Sequence, residues 1–162
     1  MIFSDFSSNF IGNIILMSTT NKIIVKNAAF IFLGISVYFF LMKLLGLEAR
    51  SELRFLNFIF VLWGINNAIK TNIHANNENL YVRNLAIGVA TSALSVAMSI
   101  IGLILYVNLI DSGLVALLQE SFLWTGNLTM PLIVFALFVE GMASSVICSF
   151  ILMQYYKNYK MA

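Results

Sequence analysis

Glu140 is the one charged residue in the run from Ser121 to Tyr156. A carboxylate in the middle of an apolar helix costs at least about 2.5–3.5 kcal/mol on membrane-insertion scales, and is usually paired, turned inward or protonated. Two chemistries suit it. One ties helices together through ion pairs and hydrogen bonds. The other uses a protonatable group in an ion or proton path. Ala136, Ala143 and Ser144 share its helical face, and Gly141, Ser145 and Ser149 repeat at steps of four beside it. Small residues at that spacing let a neighbouring helix approach, so Glu140 is expected to point into a bundle.

Helix rise converts residue number into depth and limits the partners. With outer ends at Leu47, Ile110 and Met130, Glu140, Tyr38 and Ser99 lie roughly 15, 13 and 16 Å deep, so the last two are in reach of the carboxylate. Lys43 begins roughly 6 Å deep and its stem can carry the ammonium lower, whereas Arg54 begins at the boundary. Lys43 is therefore preferred to Arg54 as counter-ion. Gly88, Ser92, Ser95, Ser99, Gly102 and Tyr106 alternate in steps of four and three, a continuous small and polar stripe expected to face the interior. Asn57, Phe60, Gly64 and Asn67 mark a similar face upstream.

Other chemistries lack their parts. His74 and Glu78 stand four apart without a third metal ligand, and Cys148 sits in apolar surroundings as a packing residue. No Ser/His/Asp or Cys/His nucleophile set can be assembled around the single histidine, and the scattered glycines form no phosphate-cradling loop. Neither an enzyme activity, a metal nor a cofactor is expected. A net charge of +2 with dispersed lysines and arginines gives no basic patch for nucleic acid.

The elements that carry these residues follow from composition. Of 162 residues 60% are apolar and 10% charged, against about 45–50% and 25% in soluble domains. Asn27 to Met42, Phe55 to Ile69 and Asn84 to Ile110 carry no charge at all. The expected fold is an all-α integral membrane four-helix bundle with spans at about 24–47, 53–69, 84–110 and 130–153. The second is the shortest and is interrupted by Asn57, Asn66 and Asn67. Residues 1–22 lack the charged n-region of a signal peptide and are read as an interfacial or disordered leader. Thr71 to Arg83 reads as a polar loop, Leu114 to Phe122 as an interfacial helix, and 158–162 as a short tail. Lys22, Lys26, Lys70, Arg83, Lys157 and Lys160 lie on one side, against Lys43, Arg50 and Arg54 on the other, which favours cytoplasmic termini.

Leu53-Arg54-Phe55-Leu56-Asn57, Gly64, Tyr81, Asn84 to Gly88, Tyr106 with Asp111, Glu140-Gly141-x-x-Ser-Ser and Gln154 to Lys157 together resemble small four-span bacterial membrane proteins of a family of unknown function. The resemblance covers residues 53–157. It implies a bacterial inner membrane and makes Arg54, Gly88, Glu140 and Gly141 matching positions, and it supplies no activity. The first expectation is thus a structural or accessory subunit that binds a membrane-protein partner, or a second copy of itself, within the bilayer. The alternative is a small ion- or proton-coupled transporter or channel using Glu140. It ranks second because only Ser144, Cys148 and Asn67 lie deeper along the path.

Overall fold

A computed structural model describes residues 2–47, 51–77, 80–111, 113–115 and 129–157, with side chains from Thr19 onward except those of Ser51, Glu52 and Arg54. The described chain is helical. Helix α1 spans Ile2–Leu44, a 3-10 segment Ser51–Leu56 leads into α2 (Asn57–Asn76), and α3 (Tyr81–Leu109) and α4 (Met130–Tyr156) follow. The Thr19–Leu44 part of α1, together with α3 and α4, is long and apolar enough to cross a membrane. At 20 residues α2 is roughly 30 Å long, which matches a hydrocarbon core, but its asparagines and Lys70 dilute its apolar character.

The helix ends follow local chemistry. Helix α1 closes in a Schellman motif: the Leu47 N–H donates to the Met42 carbonyl at 2.9 Å and the Gly46 N–H to that of Lys43 at 3.1 Å. Gly46 takes the left-handed φ of 66° that this cap requires. Asn77, at φ 49°, ends α2 in the same region. Pro131 sits in the first turn of α4, where its missing N–H leaves no donor unpaired.

Neighbouring helices run antiparallel, as paired positions show. Thr20 meets Asn76, Asn27 meets Asn67 and Gly34 meets Phe60 between α1 and α2. Asn72 meets Asn84 between α2 and α3, while Gly88 meets Ser149 and Gly141 meets Val96 between α3 and α4. Helices α2 and α3 form the centre, and α1 and α4 flank them on either side.

The interior mixes apolar residues such as Ile31, Ile65, Ile69 and Ile133 with the fully buried Asn72, Thr91, Ser92, Ser95, Ser145 and Ser149, while large apolar side chains such as Val37, Phe135, Ile147 and Ile151 face outward. Such an exterior suits hydrocarbon, where association rests on close packing and polar contacts rather than on expelling water. Gly64 illustrates the packing: its missing Cβ makes room for Ile31, which is itself fully buried.

Several expected boundaries move. Residues 2–22, expected as an interfacial or disordered segment, are helical and continuous with the rest of α1, which runs for 43 residues. The polar stretch 71–76, read as loop, belongs to α2, because buried partners satisfy Asn72 and Asn76. Helix α2 in turn starts at Asn57, and residues 53–56 are 3-10. Most of the expected interfacial helix between Leu114 and Phe122 and all of the tail 158–162 lie outside the described residues.

Candidate ligand cleft around Glu140

Between α1 and α4, which pack chiefly on the two central helices rather than on each other, the bundle opens. A cleft of about 470 Å³ lies between the C-terminal halves of α1 and α3 and the N-terminal halves of α2 and α4. Small side chains create it: Ser36 on α1, Ser95, Ser99 and Gly102 on α3, and Gly141 and Ser144 on α4 all line it. Aromatic residues form much of the remaining wall, among them Phe32, Phe39 and Phe58. Its floor is closed at Ser95 and Ser145, beyond which Ile65, Ile69, Ser92, Cys148 and Ser149 pack with almost no accessible surface. The cleft is blind.

Glu140 stands on the cleft wall with an exposed side chain. This corrects the expectation that it points into a closed interior: with α1 and α4 apart, the α4 face carrying it borders open space. Its expected partners are engaged elsewhere. The Lys43 ammonium donates to the Asp111 carboxylate at 2.6 Å and to the Tyr106 hydroxyl, and it lies 5.0 Å from the centroid of the Tyr106 ring. Asp111 also accepts from the Gly113 N–H at 2.9 Å. The Lys43 hydrogen bond, then that of Gly113, holds the Asp111 carboxyl below its ordinary value. The C-terminal turn of α1 lies beside the end of α3, which puts Tyr106 and Asp111 within reach of Lys43. Tyr38 donates to the Leu53 carbonyl at 2.9 Å. The Arg54 side chain lies outside the described residues.

Two buried polar atoms in the cleft wall have no hydrogen-bond partner among the described residues, Asn57 Oδ1 and Ser99 Oγ. Their neighbours differ. Ser92 donates to the Gly88 carbonyl at 2.9 Å, Ser95 to that of Ser92 at 2.7 Å and Ser145 to that of Gly141 at 2.7 Å. These serines satisfy themselves on their own helices, so the small stripe packs the bundle and does little to bridge it. Gly88 approaches Ile65 and Ser149, Gly102 approaches Phe32, and Gly141 approaches Val96, so all three glycines sit at helix contacts. The Ser149 hydroxyl is the third buried unpartnered polar atom.

Polar bridging falls to asparagines at the opposite end of the bundle. Asn67 donates to Asn27 at 2.6 Å, Asn72 to Asn84 at 2.8 Å, Asn76 to Asn72 at 2.6 Å and to Thr20 at 3.3 Å. Tyr156 donates to Asn66 at 2.7 Å, linking α4 to α2. Asn27, Asn72 and Asn84 were not singled out by spacing. A signal existed in Asn72 and Asn76, one turn apart and in register with the polar positions of α2.

The described residues contain no group of three or more His, Cys, Asp or Glu side chains able to hold a metal ion. What the cleft offers is shape, one carboxylate, two unpartnered polar atoms and a wall of aromatic rings, a set that binds without an evident reactive group. No family model, curated protein or solved structure matches the chain.

Proposed function

We propose that this protein is a four-span integral membrane protein whose blind cleft is a ligand-binding site centred on Glu140, as in a small carrier or the binding subunit of one. The observation that carries this reading is the meeting of Glu140, Asn57 and Ser99 in one cleft of about 470 Å³, a size typical of small-molecule sites. The fourth span is α2. Its length, its antiparallel pairing with both α1 and α3, and the engagement of its asparagines by neighbouring helices support a membrane-crossing role despite its composition. The lysine and arginine distribution supports cytoplasmic termini, and the resemblance over residues 53–157 supports a bacterial inner membrane.

The closed floor argues against a continuous proton wire and for a site that is exposed from one side at a time. A second reading, an accessory subunit, is favoured by one observation: Glu140 is exposed, on a helix whose main contacts among the described residues are with α3 and α2. Native mass spectrometry of protein taken from its own membranes in mild detergent separates the two. A bound small molecule, lost when Ser99→Trp fills the cleft, supports the ligand site. A stoichiometric polypeptide lost in Glu140→Gln supports the subunit, and protein that carries neither counts against both.

A further inference from the structure

We infer that the cleft takes a protonated amine with an apolar, ring-sized body, its ammonium on Glu140 and its body among the aromatic side chains. This rests on the reading of the cleft as a ligand site and names the class of ligand. Three observations select it. The first is charge. Among the described lining residues Glu140 is the one carboxylate, and none of them is a lysine or arginine. Lys43 and Asp111 neutralise each other at the rim. A cation therefore completes the site where an anion would face an unscreened like charge.

The second is the hydrogen-bonding character of the wall. Asn57 Oδ1 is an acceptor and Ser99 Oγ can act as one, and both are buried without a partner. Both belong to residues of the wall that also carries Glu140, and the N–H donors they lack are ones a primary or secondary ammonium supplies and a quaternary one does not. The third is the wall itself. Phe32, Phe39, Phe40, Phe58, Tyr38 and Tyr106 all line the cleft, and a cation placed over an aromatic ring gains further attraction.

The experiment uses the full chain in mild detergent and equilibrium dialysis with three probes of matched shape: 1-naphthylmethylamine as the ammonium, 1-naphthylmethanol and 1-naphthoate. Empty micelles give the partitioning background. The expected result is saturable binding of the ammonium, weakened about tenfold by Glu140→Gln, as for the loss of one charge-assisted contact, and lost in Ser99→Trp. Both variants are checked for unchanged helix content and a monodisperse elution profile, and Ser99→Ala, which cannot crowd the fold, is expected to weaken binding by a smaller factor. Equal binding of the alcohol, or of the ammonium to Glu140→Gln, overturns the cation assignment and leaves the ligand site standing. Absence of saturable binding by all three probes overturns the site as well.

Discussion

Lys43, in the last turn of α1, holds the Asp111 carboxylate at 2.6 Å across a sequence separation of 68 residues. The pair joins the ends of α1 and α3 at the rim of the cleft, and Tyr106 caps it from below. Lys43 also sits where the partial negative charge of the α1 C-terminus favours a cation.

Breaking the pair should loosen the rim in a pH-dependent way. The Lys43 hydrogen bond holds the folded Asp111 carboxyl below the ordinary aspartate range, so its contribution is fully present above the unfolded value and is lost as pH falls through the folded one. Asp111→Asn should lower the thermal midpoint by a constant amount from neutral pH to about pH 5, and the gap should close in stronger acid. A gap that widens on acidification contradicts the assignment.

Asn72 is buried and bonded to both Asn76 and Asn84. Asn72→Ala removes both bonds from a buried site, for an expected loss of about 1–3 kcal/mol, measurable by steric trapping or denaturant unfolding in micelles. Asn108, which bonds only to the Ile104 carbonyl on its own helix and is exposed, should tolerate alanine with a change under about 0.5 kcal/mol.

At Gly64 a Cβ would run into the Ile31 side chain, 2.6 Å from its Cδ1, and Ile31 has no free surface into which to retreat. Gly64→Ala should therefore destabilise by about 1–3 kcal/mol through overpacking, outweighing the roughly 1 kcal/mol by which a helix prefers alanine. Ile31→Ala added to it should restore part of the loss, a coupling that a double-mutant cycle reads directly.

Ser99→Ala should leave the fold as stable as the parent, within about 0.5 kcal/mol, because its hydroxyl bonds to nothing in the described structure. Stability that is unchanged beside weakened ligand binding marks a residue kept for recognition. A clear loss of stability would instead give it a structural task.

Cys148 has 1% of its surface accessible and lies below the cleft floor. In folded protein a membrane-permeant maleimide should label it far more slowly than a cysteine placed at Val139, which is 49% exposed, and denaturation should abolish the difference. Fast labelling of native Cys148 would mean that the floor opens.

Long uncharged runs made α3 and α4 legible nearly to their ends, because nothing else of that length and composition forms in a chain of this kind. The small stripe from Gly88 to Gly102 was legible for the same reason: its three- and four-residue spacing is the helix period itself. The partners of Glu140 were not. Depth along a helix says which residues share a level, but not which helices are neighbours, and α1 and α4 prove to stand apart. The same gap hid the Lys43 and Asp111 pair, since two ends that look equally exposed in sequence are brought together only by the packing of α1 on α3. Asn72 and Asn76 were misread for a further reason. Four nearby asparagines imitate loop composition, and only buried partners show them to be helical.

The asparagine-rich character of α2 has a consequence for how the chain enters a bilayer. On the proposed four-span reading this helix is too polar to be retained on hydropathy alone, whereas its amides find donors and acceptors on α1 and α3. That reading couples its insertion to assembly, with the contacts to α1 available first and that of Asn72 to α3 added last. Truncation before α3 should leave α2 exchanging between the membrane and the aqueous phase, so the order of synthesis is itself part of what holds the protein together.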